Sequence, residues 1–213
     1  MLDAQSAGPI RLVLWNNRPA NSAAYEREIR DFKATGSLAS IELHTSRANV
    51  GGMGRFYVIK HLRRDGLSGP VILLDDDQDI DGSFVHDLLA SYTPESVHGV
   101  WAWRQTESYW HREQLTGEGE ATYLGTGGTI LNSTIVDDER FFTVMPRKYF
   151  FLEDIWMNFV AEQHGWRLFH ANARYEFVED TKGQHLHLAD LKREFWAYLR
   201  SAEARTAWDR QLR

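Results

Sequence analysis

Short apolar runs alternate with amphipathic segments through the first half of the chain. Each apolar run gives way to polar residues, a pattern typical of a buried strand. The predicted strands are residues 10–17 (IRLVLWNN), 38–46 (LASIELHTS) and 70–74 (PVILL). The segments that follow them have helical spacing, and the predicted helices are residues 21–36, 55–66 and 83–92. This β-α-β-α-β-α order predicts an α/β fold with a right-handed, largely parallel sheet flanked by helices.

The second half has a different pattern, with strand-like runs ahead of the helices. The predicted elements are strands at residues 98–104, 121–135 and 166–171 and amphipathic helices at residues 151–165 and 188–213. The polar stretch EQLTGEGE predicts a mobile loop between the first two of these strands. Because no repeat or linker interrupts the pattern, we expect residues 1–213 to form a single domain.

Composition narrows the class of protein. Hydrophobic residues make up 43% of the 213 residues and aromatic residues 13%, which is enough for a substantial core. The net charge of −6 argues against a nucleic-acid-binding protein. Cysteine is absent, which excludes disulfides and thiolate chemistry. No apolar run approaches the roughly 20 residues of a transmembrane helix, so we expect no transmembrane segment and a cytoplasmic location, with peripheral membrane contact left open.

A dense acidic cluster follows the third predicted strand, in PVILLDDDQDIDG. In sheets of this kind, ligands bind beyond the carboxyl ends of the strands. Residues 15–17, 45–54 and 75–79 are therefore expected to converge at one edge. The three consecutive aspartates at 75–77 supply the oxygen ligands that Mn²⁺ or Mg²⁺ prefers, and such a cation bridges to the phosphates of a nucleotide.

The same acids also match the first half of an EF-hand calcium loop, from Asp77 through Asp79 and Asp81 to Gly82. The twelfth position of such a loop is Leu88 rather than an acid, and an apolar strand precedes the segment instead of a helix. A calcium loop is therefore the weaker interpretation. Asp81 is better explained as the start of the next helix, and Asp79 has no assigned role.

A second acidic pair, Glu153–Asp154, opens an otherwise apolar predicted helix, FLEDIWMNFV. Taken alone, the pair is explained by the positive end of the helix macrodipole, which favours acids in the first turn. Its occurrence together with the aspartate cluster changes that interpretation, because two acidic segments in one chain suggest two parts of one site.

In these motifs the chain resembles the GT-A glycosyltransferases, and most closely the exostosin-type (glycosyltransferase family 64) domain. The motifs that carry the resemblance, in their order, are VLWNN (13–17), NVGGMGRF (49–56), LLDDD (73–77), GTGGTIL (125–131) and EDIWMNF (153–159). LGTGG and GRF are also similar to short bacterial α-N-acetylglucosaminyltransferases of the heparosan type. The EDIWMNF match is specific, and the order of the others is informative.

The resemblance implies a GT-A fold, a Rossmann-like mixed sheet flanked by helices. It implies a UDP-sugar donor carrying an N-acetylhexosamine or hexose, a carbohydrate acceptor, Mn²⁺ or Mg²⁺, and transfer with retention. Residues from about 10 to 98 would bind the nucleotide sugar, and residues from about 99 to 213 would form the acceptor and catalytic half.

The resemblance also assigns roles to the acidic residues. Asp77 would be the main metal ligand, with Asp75 and Asp76 contacting metal-bound water, ribose or sugar, and Asp75 a second metal ligand. Asp154 would lie beneath the anomeric carbon, where it orients the acceptor and stabilises the transition state. Glu153 would hold donor or acceptor hydroxyls. If the reaction inverts, Asp154 would be the general base.

The expected donor pocket comprises Asn16, Asn17, Asn49, Gly51 and Arg55. Within it, Arg55 would meet the diphosphate or the donor sugar and so take part in catalysis. Asn16 and Asn17 end the first predicted strand, and Asn49, Gly51 and Arg55 follow the second, which places them at the same sheet edge as the aspartates.

Three further residues are candidates near the end of the chain. His185 and His187 share one face of an extended segment and are candidate metal ligands. Lys182 is a candidate ligand of the diphosphate, since phosphate needs cationic partners and this acidic protein must supply them locally.

One feature departs from the family pattern, which has a βα unit before VWNN that helps to bind uracil. Here nine residues precede Ile10. Either the unit is missing, or residues 10–17 serve as the first strand, and UDP as the nucleotide stays open. Two other function classes also stay open: a catalytically impaired nucleotide-sugar- or carbohydrate-binding module of the same fold, and a calcium-binding domain.

Overall fold

The structure is a computed structural model, and it describes residues 1–178 and 188–210. The strands are β1 (Ile10–Asn16), β2 (Leu38–Thr45), β3 (Pro70–Leu73), β4 (Gln78–Ile80), β5 (Ser96–Gly99), β6 (Ala102–Gln105), β7 (Arg112–Gln114), β8 (Glu120–Ala121), β9 (Tyr123–Leu124), β10 (Thr129–Asn132), β11 (Arg167–His170) and β12 (Tyr175–Phe177). The α-helices are α1 (Ser22–Asp31), α2 (Met53–Arg64), α3 (Phe84–Ser91), α4 (Arg140–Thr143), α5 (Glu153–Gln163), α6 (Ala189–Leu199) and α7 (Ala202–Arg210). The predicted α/β class is confirmed.

Hydrogen bonding groups the described strands into one larger sheet and three small ones. The larger sheet has the order β3-β10-β5-β11-β8. The small sheets are β1-β2, β12-β4 and β7-β6-β9. The stretch EQLTGEGE, predicted as a mobile loop, supplies part of β7 and of β8, and β8 pairs with β11 at the edge of the larger sheet.

The prediction of a largely parallel sheet is wrong. Strand β10 runs antiparallel between β3 and β5, with Ile130 opposite Ile72 on one side and His98 on the other. Among the described ladders, β1–β2 and β5–β11 are the parallel ones. The physical reason is that residues 129–131 are apolar or small and wholly buried, so this returning segment is stable only between two strands. Gly99 makes room for it, because a Cβ there would lie 2.5 Å from Thr129 Oγ1.

Strand β1 forms its ladder with β2 and with no other strand of residues 1–178 and 188–210. Residues 10–17 are therefore not the hydrogen-bonded neighbour of the strand that carries the aspartates. Both strands nevertheless end at the first turn of α2. Trp15 packs against Gly54, where a Cβ would lie 2.1 Å from the indole nitrogen, and Arg55 reaches Asp75. The predicted convergence of these strand ends is thus observed.

The hydrophobic core is centred on α5, where every residue from 155 to 161 is buried. Helices α6 and α7 cover it, because Phe195 and Trp208 both pack against Trp156. The predicted single C-terminal helix is broken at Ser201, whose hydroxyl accepts a hydrogen bond from Ala204 N (3.3 Å) and so caps α7.

Helix α1 contributes far less to the core. Tyr25 is 42% exposed and Phe32, just beyond the helix, is 45% exposed, and no residue of α1 is buried. The helix ends at Asp31 instead of continuing to Gly36, because a short helix without a packed face has little to stabilise another turn. No helix in the described part of the chain is long and apolar enough to cross a membrane.

Candidate active site

Arg55 joins the two acidic segments of the sequence. Its Nη2 donates to Asp75 Oδ1 at 2.8 Å and lies 3.9 Å from Glu153 Oε1. Burial alone would lower the pKa of Arg55, but the carboxylates of Asp75 and Glu153 outweigh it and raise that pKa. Arg55 Nη1 is buried and has no hydrogen-bond partner among the described residues. A buried donor in this state is a ready contact for an oxygen-rich ligand.

The aspartates at the end of β3 differ in their contacts. Asp75 turns towards Arg55, and its backbone N–H donates to Gln78 Oε1 (3.2 Å), which fixes the turn into β4. The carboxylates of Asp76 and Asp77 have no hydrogen-bond or ion-pair partner within the described chain. Asp76 and Asp77 thus offer two unpaired carboxylates, and carboxylate oxygens are hard donors.

The loop before α2 is held in place by Asn17. Its Oδ1 accepts from Val50 N (3.0 Å) and from Trp15 Nε1 (3.1 Å), while its Nδ2 donates to Gly51 O (3.0 Å). Asn49 Oδ1 accepts from Gly51 N (2.8 Å) and closes the turn. The side chains of Asn17 and Asn49 therefore hold the loop backbone in its conformation beside the site.

Gly51 and Asn16 also serve local structure. Gly51 has φ +56°, and a Cβ there would lie 2.5 Å from the Phe151 ring, so the position requires glycine. Asn16 is buried: it accepts from Arg18 N (2.8 Å) and donates to Ser22 Oγ (3.2 Å). The polar atoms of Asn16 are thus occupied at the start of α1.

Two further glycines allow the backbone to approach the acids closely. A Cβ at Gly52 would lie 1.8 Å from Glu153 Oε1, and a Cβ at Gly127 would lie 2.3 Å from Asp75 Oδ2. Thr126, beside Gly127, donates to Glu153 Oε1 at 3.5 Å. The GTGG segment therefore forms a wall of the acidic site.

Among the described acids, Glu153 is the one whose pKa is raised most. Burial raises the pKa of Glu153 to about 7, because desolvation outweighs the attraction of Arg55, and the neighbouring charge of Asp154 adds to the rise. The side chain sits in the first turn of α5, where the helix dipole favours its anion. A carboxyl group that titrates near neutral pH is able to hold and release a proton in a reaction.

Asp154 belongs to a second, buried network that the sequence reasoning missed. Its Oδ2 accepts a hydrogen bond from Tyr123 OH and lies 3.8 Å from Lys192 Nζ, while Oδ1 accepts from Ile155 N (2.8 Å). Tyr109 OH in turn donates to Tyr123 OH at 3.1 Å. The sequence signal that was available is weak: Lys192 occupies a core position of the amphipathic tail, where a lysine is unusual.

Of the other predicted residues, Lys182, His185 and His187 lie outside the described residues. In the described ranges, no group of three or more His, Asp or Glu residues could hold a metal ion. Asp81 Oδ1 accepts from Ser83 N (3.1 Å) just before α3, as expected of a residue that starts that helix. Asp79 is exposed in β4.

No family model matches this chain. No curated protein matches it either.

Proposed function

We propose that this protein is a metal-dependent glycosyltransferase of the GT-A type. It transfers an N-acetylhexosamine or a hexose from a UDP-sugar to a carbohydrate acceptor, with retention of configuration. The observation that carries the proposal is that Arg55 bridges Asp75, at the end of a strand, and Glu153, at the start of a distant helix (2.8 and 3.9 Å). Keeping Asp75, Glu153 and Asp154 together costs electrostatic repulsion, and such arrangements are typical of functional sites.

The donor set around β3 fits a divalent cation and a diphosphate. The carboxylates of Asp76 and Asp77 have no hydrogen-bond or ion-pair partner within the described residues, and Mg²⁺ or Mn²⁺ is commonly held by one or two carboxylates together with phosphate oxygens. Asp77 and Asp75 would hold the cation, which neutralises the diphosphate as a leaving group when it is bound. Arg55, with its unpartnered buried Nη1, supplies a fixed positive charge for the same diphosphate.

The two acids of α5, Glu153 and Asp154, would act in the transfer of the sugar from the diphosphate to the acceptor. The bond between the anomeric carbon and the diphosphate oxygen breaks, a bond to the acceptor oxygen forms, and the proton of the acceptor hydroxyl passes to the departing diphosphate oxygen. Asp154, held at both oxygens, stabilises the positive charge that develops at the anomeric carbon. Glu153, with its pKa raised to about 7 by burial, contacts sugar hydroxyls and exchanges protons with them.

A donor screen tests the proposal. The protein is incubated with Mn²⁺ and with UDP-, GDP- and CMP-sugars, and nucleotide release is measured with and without saccharide acceptors. We expect release from a UDP-sugar that Asp77→Ala reduces by about a hundredfold or more, because a partner of the developing charge is lost. Asp79→Ala is the matched control, since it removes an equal charge two residues away on the exposed face of β4, and it should keep normal turnover.

Each other result has a distinct meaning. Equal turnover in the Asp77→Ala and wild-type proteins would contradict the assignment of the metal site. Calorimetric binding of UDP with Mn²⁺, without turnover of any donor, would instead identify a nucleotide-sugar-binding module. No binding and no turnover would reject both.

A further inference from the structure

Helix α6 inserts a buried lysine beside Asp154. Lys192 is 9% exposed, and its Nζ lies 3.8 Å from Asp154 Oδ2 and 5.8 Å from the centre of the Tyr109 ring. Burying an ammonium group costs several kcal/mol unless a well-placed anion compensates for it. A lysine at a core position of an amphipathic helix is therefore unfavourable for packing alone, and its position against one carboxylate calls for an explanation.

Asp154 is held from three elements of the fold. Tyr123 of β9 donates to Oδ2, the backbone N–H of Ile155 in α5 donates to Oδ1, and Lys192 of α6 approaches Oδ2. Burial, followed by the charge of Asp154, raises the pKa of Tyr123 well above its usual value, so Tyr123 stays a neutral hydrogen-bond donor. The Tyr109 hydroxyl donates a hydrogen bond to the Tyr123 hydroxyl and so helps to orient it.

The two cations of the site, Arg55 and Lys192, pair with different acids. Arg55 lies within 4 Å of Asp75 and Glu153, and the one cation of the described residues within that distance of Asp154 is Lys192. Burial alone would lower the pKa of Lys192, but Asp154 and Tyr109 outweigh it and raise that pKa. Charge and geometry therefore agree that Lys192 is the counterion of Asp154.

We propose that Lys192 is a positioning residue for the transfer reaction: with Tyr123, it holds the Asp154 carboxylate in a single orientation, so that α6 completes a site whose acids all lie on other elements. This inference rests on the proposed function. Lys192 acts through Asp154, and it is not itself in contact with the sugar.

The ion pair is tested first, in the wild-type protein. A carbodiimide condenses a lysine amine with a carboxyl group to an amide and takes up the water that is lost, so only pairs in contact become linked. We expect peptide mass spectrometry to find a Lys192–Asp154 link. The exposed pair Lys148–Glu194, at 2.5 Å, is the positive control for the reagent. Linkage of Lys192 to a carboxyl group other than that of Asp154 would overturn the proposal.

The role is tested by kinetics. We expect Lys192→Met to lower kcat by about tenfold to a hundredfold, because a misplaced catalytic group costs this much. The KM for the donor and the affinity for UDP should change little. Lys192→Arg, which keeps the charge, should retain more activity than Lys192→Met. Added methylammonium should restore turnover to Lys192→Ala, while neutral methanol should not. Lys148→Met removes an exposed lysine that contacts Glu194 of the same helix, α6, and should behave as wild type.

The outcomes separate the two proposals. An active wild type with an equally active Lys192→Met variant would overturn the positioning role and leave the glycosyltransferase assignment standing. A wild type without activity on any donor would reject the proposed function, and the positioning role with it. Loss of activity in all Lys192 variants, including Lys192→Arg, with no methylammonium rescue would mean that Lys192 matters only for folding, and would also overturn the proposal.

Discussion

At the residue scale, Glu153 links the stability of the protein to pH. Its pKa is raised by burial from an ordinary 4.5 to about 7 in the folded protein. Between these two values the folded state holds a proton that the unfolded state has already released. The free energy of unfolding should therefore fall as the pH rises from about 4.5 to 7, by at most about 3 kcal/mol, and should then level off.

Glu153→Gln is expected to remove this dependence, because the amide mimics the protonated carboxyl and does not titrate. Urea unfolding at pH 5, 6, 7 and 8 measures it: the variant should match the wild type at pH 5 and exceed its stability at pH 8. Glu162→Gln, an exposed change on the same helix, is the control. A difference between wild type and Glu153→Gln that is constant with pH would show that Glu153 is ionised throughout.

At the scale of the element, helix α5 carries both the candidate catalytic acids and a residue that anchors it to β9. The EDIWMNF motif places Glu153 and Asp154 in the first turn and, one turn later, a buried asparagine. Asn158 Oδ1 accepts from Leu124 N (2.9 Å) and its Nδ2 donates to Leu124 O (2.7 Å), so it pairs both backbone groups of a residue in β9. Because Tyr123 lies beside Leu124, this anchor also sets the position of the hydroxyl that holds Asp154.

Asn158→Ala would leave the N–H and the C=O of Leu124 buried and unpaired. Each such group costs about 1–3 kcal/mol, so we expect the free energy of unfolding to drop by roughly 2–6 kcal/mol. Chemical denaturation measures the loss, and Glu162→Ala on the exposed face of α5 provides the matched control. A loss below about 1 kcal/mol would mean that water satisfies these groups and that the anchor is dispensable.

At the scale of the whole molecule, the C-terminal helices are part of the core that supports the site. Trp208 of α7 is 3% exposed and packs against Trp156 and Phe159 of α5, with ring centres 6.1 and 5.7 Å apart. Arg140 covers the other side, 4.2 Å from the ring centre. The helix that carries the acids is thus supported by the last described element of the chain.

Trp208→Ala is expected to lower the free energy of unfolding by about 3–5 kcal/mol, because a large cavity opens against α5. Urea unfolding followed by both circular dichroism and tryptophan fluorescence measures the loss and tests whether the transition stays cooperative. Tyr25→Ala, at an exposed aromatic residue of α1, should change stability by less than about 1 kcal/mol. Similar losses in the two variants would contradict the assignment of the core.

The pattern along the chain was sufficient for the α/β class, for strands β1, β2 and β3 and for the convergence of the strand ends near Asp75. These features follow from local periodicity and from the polarity of strand ends, which a sequence records directly. Local periodicity does not record which strands pair with each other in a sheet. Strand β10 enters antiparallel beside β3 because its buried residues need two neighbours, and nothing local identifies those neighbours. In the same way, DDD and EDIWMNF are visible as motifs, whereas the contacts of Arg55 with both acids, and of Lys192 and Tyr123 with Asp154, arise from elements distant in sequence. Such contacts depend on three-dimensional packing, because the energy of a buried charge is set by what surrounds it and not by its neighbours along the chain.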